Sequence, residues 1–157
     1  QLYTSPILRA RQTSRILAEE LDIPVIAADA LREPDYGSLE GRSDKESWTA
    51  FVELFKDWMQ GLNRDVAIGG GECFDDIFER FMPFMQGLIS TTAGEKGSLL
   101  LVSHGGVLFT MLPLLLENIN YAFAGSREMT NTGIVIADEN HGRLFCREWC
   151  GEPVKAS

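Results

Sequence analysis

The feature that most constrains the fold is a long apolar run, residues 98–116, which a serine, a histidine, two glycines and a proline interrupt. About 18 consecutive apolar residues can span a membrane, but these interruptions and the charged residues on both flanks disfavour that interpretation. We interpret the run as a buried strand over residues 99–102, a sharp turn, and a helix from about Val107. Open α/β sheets bind ligands at the carboxyl ends of their strands, so His104 is a candidate site residue.

Length and composition indicate a globular protein. The chain has 157 residues, of which 45% are hydrophobic and 10% aromatic, enough to bury a substantial core. We expect a single domain over residues 1–157. The net charge of −9 disfavours a general binder of nucleic acid or of anionic membranes. We therefore expect no nucleic-acid partner and no membrane partner.

The cysteines favour a reducing compartment. Cys73, Cys146 and Cys150 are odd in number and show no metal-ligand spacing with the histidines, and no stretch resembles a signal or transit peptide. We therefore expect a cytoplasmic protein with no bound metal. The chain begins with Gln1 in what reads as the end of a strand, so we also expect it to be incomplete at its N-terminus.

Strands and helices alternate along the chain. Residues 1–3, 24–28 and 99–102 read as strands. Between the first two lies a helix ending near Leu21, for which Ser5 is a candidate N-cap and Pro6 a candidate first residue. Such alternation predicts an α/β fold with a mostly parallel sheet covered on both faces.

Two further helices and a hairpin complete the pattern. A capping box at residues 43–46 opens a helix that ends near residue 59, and a second helix covers residues 73–90, where Pro83 should kink the helix or mark a tight junction. Residues 133–137 and 144–149 read as a hairpin at the sheet edge. The aromatic residues of the two helices have helical spacing, which packing explains, although one or two rings could face a pocket: Trp48, Phe51, Phe55, Trp58, Phe74, Phe78 and Phe81.

Two strand-to-helix turns, residues 3–6 and 102–105, should lie at the same edge of the sheet. Arg9 follows the first turn, where a cation opposes the positive end of the helix dipole. A bound anion would reverse that penalty, and arginine suits phosphate because its donors are planar and bidentate. A solvated surface arginine is an equal alternative for Arg9 and the preferred one for Arg11 and Arg15.

His104 and Glu33 are the other candidates. A lone histidine beside a glycine turn is often structural, but the glycines after His104 allow close approach of a ligand to the backbone. Glu33 lies in an acidic loop that could simply be solvated, as we expect for Asp35, yet a carboxylic acid near phosphate can protonate a leaving oxygen. His141 lies in the hairpin turn, and we expect it at the surface.

Three motifs, residues 3–13, 31–41 and 102–106, together resemble the histidine phosphatase superfamily, in its phosphoglycerate-mutase-like group, and they occur in the family's order. Residues 70–72 and 131–134 fit the same pattern. The resemblance implies a three-layer α/β sandwich with a mostly parallel sheet, from which the family's first strand is missing.

The resemblance also implies roles for individual residues. Arg9 would clamp the phosphate, Glu33 would protonate the leaving group, and His104 would stabilise the transferring phosphoryl group. No metal or cofactor is implied, because arginines and histidines meet the charge of the phosphoryl oxygens. Four further residues would bind phosphate or substrate: Ser5, Tyr36, Gly105 and Asn131.

The sequence departs from the family at the nucleophile. The family's nucleophilic histidine stands in an Arg-His-Gly motif, which these residues lack, since His141 follows an asparagine. We therefore expect a parent phosphatase acting through phosphohistidine on a small phosphorylated molecule, with inorganic phosphate as a further ligand, and an inactive 157-residue chain. A natural pseudo-enzyme without the nucleophile is the less favoured explanation.

Two other functions stay open, the phosphoryl transfer of a phosphoglycerate mutase and the binding of phosphate without catalysis. An α/β-hydrolase would need a Gly-x-Ser-x-Gly elbow, which is absent. The substrate's identity is not predicted, and a homodimer is left open as the assembly.

Overall fold

The computed structural model describes residues 1–67, 69–92 and 96–155. The chain divides into two compact units, one of Gln1–Glu33 with Phe81–Ser157 and one of Pro34–Arg80. The single domain expected from the sequence stays a prediction.

A parallel three-stranded sheet forms the centre of the first unit. Strand β1 (Leu2–Thr4) lies between β2 (Val25–Ala27) and β3 (Leu100–Val102). Thr4 is opposite Ala27 on one side and Val102 on the other, so all three carboxyl ends meet at one edge. This arrangement confirms the α/β fold class and the three short strands.

Helix α1 (Leu8–Leu21) ends where the sequence predicts but begins later. Its N-cap is Ile7, which makes no side-chain cap hydrogen bond, so the expectation that Ser5 caps the helix and Pro6 starts it is wrong. The Ser5 hydroxyl accepts the Ile7 N–H at 3.2 Å instead. Ser5 is fully buried, and its hydroxyl oxygen also lies 2.8 Å from Nε2 of His104, 99 positions away.

The rest of the first unit consists of helices and an antiparallel sheet. Helix α4 (Gly105–Leu115) starts directly after His104, two residues earlier than expected, and a short helix α5 (Tyr121–Gly125) follows. The predicted hairpin is confirmed, with β4 (Val135–Asn140) and β5 (Arg143–Trp149) joined by a two-residue turn. It does not extend the parallel sheet but forms a second sheet, in the order β4-β5-β6, with β6 (Glu152–Pro153).

Both residues of the hairpin turn have positive φ, 53° at His141 and 78° at Gly142, as a tight hairpin turn of right-handed twist requires. The hairpin packs on α4 and α5. A Leu116–Leu144 bridge joins the end of α4 to β5. The buried residues of this core are Leu112, Leu116, Ile119, Ala124, Cys146 and Trp149.

The second unit contains α2 (Lys45–Met59) and the start of α3 (Phe74–Thr92), a helix that continues through Pro83. The N-cap of α2 is Asp44, one residue after the predicted Ser43, and its carboxylate accepts the Ser47 N–H at 2.9 Å. That hydrogen bond, with the neighbouring Arg42 guanidinium, holds the pKa of Asp44 well below its usual range.

The aromatic residues of the second unit mostly pack, as expected. Trp58 and Phe74 are almost fully buried and meet edge to face, with ring centroids 6.1 Å apart. The stack continues through Phe55 and Phe51 to Trp48, whose side chain is 65% exposed. Packing therefore explains the positions of most of these aromatic rings but not the exposed position of Trp48.

Glu72 joins two loops of the second unit. It exchanges backbone and side-chain hydrogen bonds with Asp35, at 2.8 and 2.9 Å, and forms a mostly buried ion pair with Arg80 at 2.8 Å. The loops approach so closely that a Cβ on Gly71 would lie 2.0 Å from the Asp35 carbonyl oxygen. Only glycine fits at this position without moving a backbone.

We expect Gly71→Ala to lower the free energy of unfolding by about 1–3 kcal/mol, because two backbones must separate. The matched control is Gly87→Ala in α3, where a Cβ would meet open space. It should raise stability by about 0.5–1 kcal/mol through helix propensity. Chemical denaturation of both variants of the full-length protein measures the difference, and a neutral Gly71→Ala would contradict the loop geometry.

Candidate functional site

The two predicted strand-to-helix turns lie side by side because β1 and β3 are adjacent. The Ser5 N–H donates to the Val102 carbonyl at 2.9 Å, which continues the β1–β3 pairing by one residue into the turns. This hydrogen bond places the turn after β1 beside the turn that contains His104. The expectation from the sequence that both turns share one sheet edge is confirmed.

Arg9 and His104 meet in this place although 95 positions separate them. The Arg9 Nε–H donates to His104 Nδ1 at 3.1 Å. His104 is 6% exposed, whereas Arg9 is exposed, so the pair spans the boundary between the interior and solvent. Within the described parts of the chain, the terminal guanidinium nitrogens of Arg9 make no hydrogen bond or ion pair and remain free to bind a ligand.

The second nitrogen of His104 faces the interior. Nε2 lies 2.8 Å from the Ser5 hydroxyl oxygen, and Ser5 is 0% exposed. His104 is therefore held between a buried hydroxyl on one side and a solvent-facing cation on the other. The contact to phosphate that the resemblance implies for Ser5 stays a prediction.

Glu33 lies at the amino end of α4. Its two carboxylate oxygens accept the backbone N–H groups of Gly106 at 3.3 Å and Val107 at 3.4 Å. Helix amino ends favour anions, because their N–H groups have no partner within the helix and the helix dipole is positive there. Glu33 and His104 are thus brought to the same turn of α4 from distant parts of the sequence.

A hydroxyl that sequence reasoning missed helps to hold this arrangement. Ser103, the residue before His104, donates from its Oγ to the Leu31 carbonyl at 2.9 Å. This bond ties the β3–α4 turn to the segment that ends in Glu33. Its position beside the histidine was the only sequence signal, since its partner lies 72 residues away.

The remaining candidates belong to three other segments of the chain. Gly105 is exposed, and a Cβ on it would have no neighbour within 4 Å. Asn131 lies in the exposed turn before β4, and Tyr36 belongs to the second unit, where its ring meets Phe51 edge to face. Their binding roles stay predictions. His141 is exposed in the hairpin, as expected.

The cysteines and acidic residues form no metal centre in the described residues, where no group of three or more metal-binding side chains occurs. All three cysteines are free thiols, and burial raises the pKa of Cys73 and of Cys146. None of the helices in the described ranges is both long enough and apolar enough to cross a membrane.

The site therefore combines a guanidinium with open donors, a buried imidazole, a carboxylate and the N–H groups of a helix amino end. Donors of this kind suit a tetrahedral oxyanion. The family model described as histidine phosphatase superfamily (branch 1) matches residues 1–151. The chain belongs to the histidine phosphatase superfamily. Phosphatases and mutases of this superfamily are enzymes that act on phosphate groups, which fits the donor set.

Two curated relatives represent both activities of the superfamily. A 2,3-bisphosphoglycerate-dependent phosphoglycerate mutase of Parvibaculum lavamentivorans is 33% identical over 116 residues, covering 70% of this chain and 53% of the mutase. A metal-independent phosphoserine phosphatase of Arabidopsis thaliana is 32% identical over 108 residues, covering 68% and 44%. The chain thus spans about half the length of the curated relatives it matches.

Solved structures share the fold. A mycobacterial glucosyl-3-phosphoglycerate phosphatase in complex with inorganic phosphate superimposes with a TM-score of 0.76 at 21% identity, over 96% of this chain and 76% of that one. The α-ribazole phosphatase of Shigella flexneri gives 0.71 at 22% identity, over 99% and 76%. At these identities the likeness establishes the phosphoglycerate-mutase-like fold.

Proposed function

We propose that the protein containing this chain hydrolyses phosphomonoesters of small molecules through a phosphohistidine intermediate. The observation that carries the proposal is the Arg9–His104 pair, in which an open guanidinium lies 3.1 Å from a buried imidazole at the sheet edge. A phosphoryl group bound there would meet positive charge on Arg9 and a ring nitrogen of His104. Both groups can stabilise the charge that develops on the equatorial oxygens.

The reaction has two steps. A nucleophilic histidine attacks phosphorus, an N–P bond forms, the P–O bond to the leaving group breaks, and Glu33 gives its proton to the leaving oxygen. Water then attacks the phosphoryl group and returns a proton to the Glu33 carboxylate. The N–P bond breaks, inorganic phosphate leaves, and the histidine is restored. His104 and Arg9 stay in place through both steps.

The nucleophile is a histidine outside these 157 residues. His104 is occupied by Arg9 and Ser5, and His141 lies in an exposed hairpin turn. The resemblance assigns the nucleophile to an Arg-His-Gly motif, which the chain lacks. On this proposal the 157-residue chain alone contributes the phosphate clamp and the acid but does not turn over substrate.

A mutase is the second candidate, favoured by the 33% identity to a phosphoglycerate mutase. Clamp, acid and intermediate would be the same, and only the phosphoryl acceptor would differ, a substrate hydroxyl instead of water. Release of inorganic phosphate from a phosphomonoester supports the phosphatase, whereas transfer to a second hydroxyl without release supports the mutase. Binding of phosphate with neither outcome would leave a non-catalytic phosphate-binding module.

Arg9→Ala tests the clamp in the protein expressed from its full reading frame. We expect kcat/KM for a phosphomonoester to fall about 10- to 100-fold, the cost of losing hydrogen bonds from a charged group. Inhibition by inorganic phosphate should weaken in parallel. Arg15→Ala is the control, because Arg15 is an exposed arginine of the same helix paired with Glu19, and equal losses in both variants would contradict the assignment.

The same proposal covers the ligand, the partners and the cellular location of the protein. A small phosphorylated substrate or inorganic phosphate is the ligand, with neither nucleic acid nor membrane as a partner, since the net charge is −9. Cytoplasmic location and a homodimer stay predictions.

A further inference from the structure

A cavity of about 460 Å³ lies in the first unit, beside the turn between β5 and β6. We call it the Trp149 cavity, after its buried wall residue. Its lining offers indole, guanidinium, carboxylate and hydroxyl groups, on Arg127, Glu128, Thr130, Trp149 and Glu152. The volume falls within the range of small-molecule sites. None of the lining residues belongs to the site that contains Arg9 and His104.

The backbone at the end of β5 builds one wall of the Trp149 cavity. Cys150 and Gly151 both have positive φ, 49° and 88°, and form the tight turn that places Glu152 opposite Trp149 on β6. The Cys150 N–H donates to the Ile134 carbonyl at 2.8 Å, so the turn is also tied to the segment before β4. Backbone hydrogen bonds of the second sheet therefore fix this wall.

The indole N–H of Trp149 lacks an acceptor. Trp149 is 1% exposed, and its ring packs edge to face on Phe123, with centroids 5.7 Å apart. Within residues 1–67, 69–92 and 96–155, its Nε1 is the only buried side-chain nitrogen or oxygen without a hydrogen-bond partner. Indole can only donate, and a buried donor left unpaired is destabilising. The cavity therefore suits a molecule that brings an acceptor to Trp149.

The charges of the lining narrow the class of ligand. The Arg127 guanidinium forms an ion pair with Glu152 and lies over the Phe123 ring, 4.5 Å from its centroid, so its charge is already met. Glu128 adds a second carboxylate to the lining, and two glutamates against one arginine disfavour an anion. A simple cation has no acceptor to offer the indole. A hydroxyl group meets both needs, because it accepts from Trp149 and donates to a carboxylate.

We propose that the Trp149 cavity binds a neutral polyhydroxylated molecule, a sugar or polyol. One hydroxyl oxygen accepts the Trp149 indole N–H, and another hydroxyl donates to the carboxylate of Glu128. The Thr130 hydroxyl, in the same lining, can bond to a third. Binding is non-covalent and uses no residue assigned to phosphoryl transfer, so the inference goes beyond the proposed function and does not depend on it.

NMR of the indole N–H groups tests the inference in the full-length protein labelled with nitrogen-15 tryptophan. Trp149→Phe, or sequential assignment if that variant does not fold, identifies the Trp149 signal. Titration with glycerol, D-glucose and myo-inositol should shift this signal saturably for at least one of them. The dissociation constant should be millimolar, since few hydrogen bonds offset the entropy of association. The signals of Trp48, which is exposed, and Trp58, whose N–H donates to the Asn63 carbonyl at 3.1 Å, should stay in place.

Glu128→Ala probes the second contact. Glu128 is exposed, so its replacement should not disturb the fold. We expect the dissociation constant of the polyol to rise about 10-fold, the cost of losing a hydrogen bond to a charged group. Glu139→Ala is the matched control, because Glu139 is an exposed glutamate of β4 outside the lining. Its dissociation constant should equal that of wild type.

No saturable shift of the Trp149 signal with any of the three polyols would overturn the inference and leave a cavity that holds water. The inference would also be overturned if all indole signals shifted together, if sodium phosphate shifted the Trp149 signal instead of the polyols, or if Glu128→Ala bound as tightly as Glu139→Ala. A full-length protein without phosphatase activity would overturn the proposed function and leave the binding comparison intact.

Discussion

His104→Asn in the full-length protein should lower kcat for a phosphomonoester by about 100- to 1,000-fold. The imidazole lies at the sheet edge with Arg9 on its outer side. On the proposed mechanism the bound phosphoryl group takes over the Arg9 N–H donors, and a protonated His104 Nδ1 donates to an oxygen whose negative charge grows in the transition state. Removing one such preorganised donor typically costs this much. KM should change far less, because Arg9 still binds the phosphate of the ground state. Initial-rate kinetics across substrate concentration separates the two quantities.

His141→Asn is the control for that experiment. It makes the same substitution at the other histidine of the chain, which lies exposed in the hairpin turn with φ 53°, a conformation that asparagine tolerates. Its kcat should match that of wild type. Comparable losses in both variants would show that His104 acts through stability and not through the reaction.

Glu33→Gln should have an effect that depends on the leaving group. Protonating an alkoxide contributes about 100-fold or more to catalysis, so hydrolysis of an alkyl phosphate such as glycerol phosphate should fall by at least that factor. Hydrolysis of p-nitrophenyl phosphate, whose leaving group needs no proton, should change much less. The glutamine carbonyl can still accept a backbone N–H at the start of α4, which keeps the side chain near its place.

Asp35→Asn controls for the loss of a carboxylate in the same loop. Asp35 is exposed, and its side chain accepts the Gly37 N–H at 2.8 Å, which asparagine can also accept. Both substrates should be hydrolysed at the wild-type rate. If Glu33→Gln lowered the rates on alkyl and aryl phosphates equally, Glu33 would act in some way other than as the acid.

The local sequence pattern was enough to predict the helices and strands whose ends are marked by turn residues or by a change in hydrophobic periodicity. The three parallel strands, the end of α1 and the tight hairpin follow from apolar runs, from periodicity and from a His-Gly turn. The candidate site residues were recognisable because the sheet edge collects whatever follows a strand. This rule predicts that the turns preceding Arg9 and containing His104 lie at the same edge of the sheet.

The errors at the helix starts had two causes, a distant partner in the case of Ser5 and a choice between two neighbouring cap residues in the case of Asp44. Ser5 looked like a helix cap, but its hydroxyl bonds to a histidine 99 positions away. Ser43 looked like the first residue of a capping box, yet Asp44 supplies the cap, because its carboxylate accepts both the N–H and the hydroxyl of Ser47. The separate sheet of the hairpin was likewise beyond local reasoning, since strand pairing between distant segments leaves no short-range signal.

The position of Glu33 shows the same limit within the site. The motif identified the residue, but nothing near it in sequence shows that its carboxylate lies on the first N–H groups of α4, 73 residues later. The Ser103 hydroxyl bond to Leu31 that supports this placement depends on packing of the turns. Residue types that suit phosphate chemistry were therefore predictable, whereas the hydrogen bonds that aim them were not.

The most direct test is to mix the full-length protein with a phosphomonoester, quench it within one turnover, and map the phosphorylated residue by mass spectrometry. The account predicts an acid-labile, alkali-stable phosphohistidine at a histidine other than His104 and His141, and no label in the isolated 157-residue chain. A phosphate on His104 itself, or rapid phosphate release with no phosphoprotein in the first turnover, would contradict it.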